Sequence, residues 1–272
     1  MRLLQSLRRL VHWPLAVLGL ALALAWAAPQ PAQAMTVDDV LAKKKLVVGV
    51  LTDFPPYGGT DTAQKPDGYD ADVARLVAKY LGVELELVPV TGPNRIPYLL
   101  TNKIDMLIAT FGITPERAKQ VQFSIPYSSI EIYLLAPKKL AIKSPEDLKG
   151  VKIAVARAST QDTAITAIAP KDARIMRFDD DASALQAMIS GQSDALGGAN
   201  VVLAQLQKSH PEMEIEPKIT LRHQPNGIAL RRADGDLRQW VDTVIFYIKN
   251  NGELDAINRK WLGQPMPELP TF

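Results

Sequence analysis

Apolar residues fall into two periodicities along this chain, and the two alternate. LVVGVL (46–51) is a continuous apolar run of strand length, the pattern of a strand covered on both faces. DADVARLVAKYLG (70–82) then places Val73, Leu76, Val77, Tyr80 and Leu81 at helical spacing, with Gly82 where a helix C-cap belongs. VELELVPV (83–90) alternates as a strand, a helix is predicted near Asn94 to Asn102, and IDMLIAT (104–110) is a further apolar strand. A short helix over Thr36 to Lys44 precedes them all. This alternation predicts a parallel sheet with right-handed crossovers.

The cycle then restarts. SPED (144–147) reads as a capping box with proline at the first helical position. VKIAVA (151–156), a helix from Thr160, ARIMRF (173–178), a helix from Ala182 and DALGG (194–198) form a second α/β unit. The last stretch, 235–263, is predicted to be helical throughout, with Leu237, Trp240, Val241, Val244 and Ile248 on one core face.

The first 34 residues stand apart from this pattern. They carry Arg2, Arg8 and Arg9, no acid, an apolar run from Leu15 to Ala28, and an A-x-A site at Ala32-Gln33-Ala34, which together read as a cleaved secretory signal peptide. The apolar run is shorter than the roughly 20 residues of a membrane-spanning helix. Cleavage after Ala34 leaves 238 residues with 28 basic against 29 acidic side chains, so the whole-chain pI misleads and nothing argues for nucleic acid. The absence of cysteine excludes a disulfide framework, a thiolate metal site and a lipoprotein anchor. A freely diffusing periplasmic protein without cofactor or metal is expected.

Two tandem α/β units leave a cleft between sheets, with ligands expected at the carboxyl ends of strands. The candidate residues are then Thr52 to Tyr57, Thr110 to Arg117, Arg157 to Gln161 and Gly197 to Asn200. Arg117 raises a question of its own. A cation on the first turn of a predicted helix opposes the helix dipole, so an anion is expected to compensate it.

At these positions the chain resembles the family 3 solute-binding proteins of bacterial ABC importers, which include the polar amino acid receptors. The resemblance is carried by GVLTDFPPYGG (49–59), PDGYDADVARLVAKYLGVELE (66–86), NKIDMLIATFGITPERAKQVQFSIPY (102–127), LKGVKIAVARASTQ (148–161), SGQSDA (190–195) and NGELDAINRKWLG (251–263). It implies a two-lobed periplasmic binding protein fold of type II, each lobe a mostly parallel sheet flanked by helices. Residues 35–131 and 226–272 would form lobe one and 132–225 lobe two, joined by crossing hinge strands near Ile130 to Leu135 and Pro225 to Leu230. It also implies a monomer that delivers a small-molecule ligand to an inner-membrane ABC permease.

The resemblance assigns roles as well. Arg117 would pair with the ligand's α-carboxylate through its planar fork. Ser159 and Thr160, at a helix start, would donate to the same carboxylate. Phe54 would lie over the ligand beside Tyr57, and Thr110 and Gly112 would meet the α-amino group. One departure bears on substrate, because an aspartate that accepts the ammonium in many amino acid receptors is replaced here by Ala199. Asp53, Asn200 or Asp194 would substitute, and Arg157 would read an acidic side chain. His223-Gln224, just before the second hinge strand, is the histidine-bearing pair with a route to the cleft. An amino acid is therefore the expected ligand, with a non-amino organic acid, or a dehydratase-like enzyme on the same fold, as the alternatives.

Overall fold

The structure, a computed structural model, describes residues 34–270, so the expected signal peptide up to Gln33 lies outside the described residues. Its strands in chain order are β1 (Lys45–Val50), the ribbon β2 (Gly59–Thr60) and β3 (Pro66–Asp67), β4 (Glu84–Pro89), β5 (Met106–Leu107) and β6 (Val121–Phe123). There follow β7 (Ser128–Pro137), β8 (Lys152–Ala156), β9 (Arg174–Phe178), β10 (Ala195–Ala199), β11 (Ile215–Asn226) and β12 (Ala229–Arg231). They build two five-stranded sheets, ordered β4-β1-β5-β12-β6 and β11-β7-β10-β8-β9. Each sheet has a parallel set, β4-β1-β5 and β10-β8-β9, bordered by antiparallel strands. The α/β architecture in two lobes follows from the alternating pattern.

The helix expected at 70–82 forms over Tyr69–Leu81 and stops at Gly82, whose φ of 69° suits glycine. It buries Val73, Val77 and Leu81 against the first sheet, each contributing about 1.5–3 kcal/mol by burial. SPED does form a capping box between Ser144 and Asp147, but the turn it caps is a 3₁₀ helix over Pro145–Leu148. The final segment is not one helix. Gly252, at φ 86°, separates Gly235–Asn250 from Glu253–Leu262, and Leu237, Val241, Val244 and Ile248 are buried as expected.

Two segments are shorter than their patterns predict. Within 104–110 only Met106 and Leu107 pair as a strand, because the chain then turns away from the sheet, Thr110 adopting φ 45°. The helix carrying Arg117 is a single turn, Pro115–Ala118, so dipole repulsion is a minor effect there.

The chain crosses between sheets twice. It leaves the first sheet after Phe123 and enters the second at Ser128, then returns between Asn226 and Ala229. Both crossings are held together where β7 and β11 pair antiparallel, Ser128 opposite Asn226. The segment Ile130 to Leu135 is thus already inside the second sheet, and the first crossing lies a few residues upstream of it.

Candidate functional site

Parallel strands deliver their carboxyl ends to the gap between the sheets, and five loops meet there. After β1, Phe54 and Gly58 exchange backbone hydrogen bonds at 2.8 and 2.9 Å, and the tight loop presents the Phe54 ring. After β4, the Asn94 side chain accepts the Thr91 N–H (2.9 Å), turning the chain so that Arg95 begins the helix Arg95–Leu100. After β5, Thr114 caps the turn that carries Arg117, accepting its N–H at 3.2 Å. After β8, Ser159 caps the helix Thr160–Ile168 through the Asp162 N–H (3.0 Å). After β9, Asp180 caps the helix Asp181–Ile189.

These loops enclose a narrow cavity of about 30 Å³. Phe54, Thr110, Arg117, Ser159 and Thr160 line it together with Arg95, Gln161, Asp181 and Gln224. Ser159 caps the helix, which leaves the Thr160 hydroxyl free to donate to the Gln224 side-chain oxygen. Gly112 stands behind Gln224, and a Cβ there would come 2.5 Å from its side-chain amide carbon. Gly92 faces the Arg157 carbonyl so closely that any side chain would push the sheets apart.

The electrostatics centre on two guanidinium groups. Arg117 donates to the Gly112 carbonyl at 2.8 Å and across the gap to the Ala158 carbonyl at 3.0 Å. Arg95 donates to the same Ala158 oxygen at 3.1 Å. Both pack on the Phe111 ring, 4.1 Å and 4.6 Å from its centroid. Among the described residues Arg117 forms no ion pair, and burial, then Arg95, then Arg222 push its guanidinium well below the usual range. Arg95 is lowered by burial to about 10, against the pull of Asp181 and Asp53. Asp181 is raised to about 7, first by burial and then by Asp53, whose own carboxyl is raised by burial.

Four expected residues lie elsewhere, and two more take part indirectly. Arg157 is exposed and pairs with Asp179 at 3.3 Å, so it reads nothing in the cavity. His223 is exposed on β11 and meets Glu131 at 2.6 Å, outside the cleft. Asn200 accepts the Glu131 N–H (3.2 Å) and lines a separate depression with Tyr57. Tyr57 is buried, its hydroxyl donating to the Ser129 carbonyl (3.2 Å). Asp53 accepts the Asp181 N–H (2.7 Å) beside the cavity, and Gly112 contributes its carbonyl to Arg117.

Arg95 and Asp181 lie outside the sequence candidates, whereas Gln224 belongs to the His223-Gln224 pair expected to reach the cleft. Arg95 and Asp181 both follow strands, as the cleft rule requires, at the ends of VELELVPV and ARIMRF. Of the His223-Gln224 pair it is Gln224, not His223, that lines the cavity.

Residues 46–264 match the family model for bacterial extracellular solute-binding proteins, family 3. The chain belongs to that family. This binding protein is 34% identical over 229 residues to the ABC transporter glutamine-binding protein GlnH of Bacillus subtilis (strain 168), covering 82% of this chain and 83% of that one. A crystal structure of a mutant of ArgBP from T. maritima matches it with a TM-score of 0.78 at 31% identity, over 85% of this chain and 100% of the other. The ancestral amino acid-binding protein AncCDT-1, a precursor of cyclohexadienyl dehydratase, matches with a TM-score of 0.75 at 36% identity, over 83% and 98%.

Proposed function

We propose that this protein is a periplasmic receptor that closes around an amino acid and delivers it to an inner-membrane ABC permease. The observation that carries this reading is Arg117. A half-buried guanidinium that has only two neutral carbonyls, one from each sheet, is a site for an anion. A carboxylate there would accept both prongs of the fork and would also face the Thr160 hydroxyl and the N-terminus of the helix Thr160–Ile168. Phe54 supplies the apolar lid. The cleft is narrow, about 30 Å³, so in this reading the lobes part to admit an amino acid.

The amine is the open chemical question, because Ala199 is buried within β10 and offers no charge. Thr110 and the carboxylates of Asp181 and Asp53 are the nearby acceptors. Glutamine is the ligand that the relative's name gives for GlnH, and a ligand of that class fits a cleft lined by both charged and neutral polar groups.

An enzymatic reading keeps one observation. Asp181 can hold a proton near neutrality inside the cleft, as a general acid must. The deciding experiment is a thermal-shift screen of the purified protein with the standard L-amino acids and L-cystine, each beside its deamino carboxylic acid, together with a turnover assay on prephenate and arogenate. Stabilisation by an amino acid but not its deamino partner, without turnover, is the expected result. Shifts from the deamino acids alone, or product formation, would replace the reading.

A further inference from the structure

We propose that Asp70, a carboxylate one hydrogen bond behind the cleft wall, is the positioning residue that makes Thr110 the acceptor for the ligand's α-ammonium. The proposal rests on the amino acid reading above. Asp70 is fully buried in the first turn of the helix Tyr69–Leu81. Its Oδ2 accepts the Thr110 hydroxyl at 2.7 Å, and its Oδ1 accepts the Tyr127 hydroxyl at 2.7 Å. The Tyr127 oxygen in turn accepts the Thr110 N–H at 3.1 Å. Both protons that Thr110 owns are therefore committed backwards, to Asp70 and Tyr127. What remains to Thr110 is acceptor capacity: its hydroxyl lone pairs, and a carbonyl already met by the Gln224 amide at 3.4 Å on the cleft wall.

Two features are hard to explain as packing alone. Thr110 holds φ 45°, a region that a β-branched residue rarely enters, and the Asp70–Tyr127 clamp is what fixes it there. Asp70 also has no cationic partner among the described residues; the titratable groups around it are the phenols of Tyr57, Tyr69 and Tyr127. A buried anion without a cation is costly, and an ammonium arriving on the far side of Thr110 would supply one. That arrangement answers the loss at Ala199 by placing the charge one hydroxyl deeper.

The state of Asp70 sets the direction of the Thr110 hydroxyl. An ionised carboxylate can only accept, so the hydroxyl proton points to it. A protonated acid, or an asparagine, can instead donate to the Thr110 oxygen and turn its proton toward the cleft, where it would repel an ammonium. Burial raises Asp70 to about 6, so this reversal falls in mildly acidic solution.

The test uses whichever amino acid gives the largest shift in the screen, with its deamino acid, titrated calorimetrically into wild type, Asp70→Asn and Thr110→Val between pH 5 and 8. At pH 7.5 both variants are expected to lose about 10- to 100-fold in affinity for the amino acid and no more than about threefold for the deamino acid. The wild-type preference for the amine should fall toward pH 5, and subtracting the Asp70→Asn profile removes the contribution of Asp181 and Asp53. If the variants weaken both ligands equally, or neither, Asp70 is only structural and the proposal fails. If no amino acid binds, or wild type itself fails to distinguish the pair, the amino acid reading fails first. Should Asp70→Asn not fold, Thr110→Val carries the same comparison.

Discussion

Arg117 shows how one side chain can be informative through what it does not touch. Its fork is complete in geometry, stacked on Phe111 and held by Gly112 and Ala158, yet every acceptor it has is neutral. The cost of desolvating that charge is offset only when an anion arrives. Arg117→Ala should therefore weaken amino acid binding by about 2–5 kcal/mol, and Arg117→Lys, which keeps the charge but loses the planar fork, by an intermediate amount. The unliganded melting temperature should hardly change, since the desolvation cost of a half-buried, unpaired cation and the hydrogen bonds it makes to Gly112 and Ala158 leave together. Calorimetric titration of both variants checks this, and an alanine variant that binds like wild type would contradict the carboxylate assignment.

Elements decide which residues a sequence can reveal. Phe54, Arg117, Ser159 and Thr160 were legible because each follows an apolar run that could only be a buried strand, and the loop after such a strand in a parallel set must open on the cleft. The same rule carried through β4 and β9 reaches Arg95 and Asp181. Arg157 and Asn200 satisfied the rule by position and failed by direction: Arg157 points along the surface to Asp179, and Asn200 caps the space under β7. Side-chain direction at a strand end depends on local backbone turns, which spacing does not encode. For the pair His223-Gln224 the sequence does not say which side chain faces the cleft, since that is set by the antiparallel pairing of β11 with β7, two segments some 90 residues apart. The contact of Gln224 with Gly112 is testable at this level. Gly112→Ala should displace the Gln224 amide from Thr160 and lower ligand affinity by about tenfold, while helix and sheet content by circular dichroism stay as in wild type. Unchanged affinity would mean that Gln224 can yield without consequence.

At the scale of the whole molecule, the cleft acids make stability depend on pH in an unusual direction. Most carboxylates in folded proteins are stabilised by their surroundings, and acid removes that stabilisation. Asp70 and Asp181 behave oppositely, because burial raises them to about 6 and about 7. The folded chain binds these protons more tightly than the unfolded chain, so the contribution is complete below the ordinary aspartate range near pH 4. It is lost as pH rises through the folded values. For Asp70 alone, about 2 kcal/mol should disappear between pH 4.5 and 7.5. Asp70→Asn cannot ionise, and the difference in unfolding free energy between wild type and variant isolates the effect from every other group. Urea unfolding of the ligand-free proteins should show wild type losing ground to the variant by about that amount across the interval. A constant difference would mean that Asp70 keeps an ordinary affinity for its proton. If the loss is found, and saturating amino acid abolishes most of the pH-dependent difference between wild type and variant, the fold is carrying an unfavourable buried anion whose natural counter-charge is the ligand.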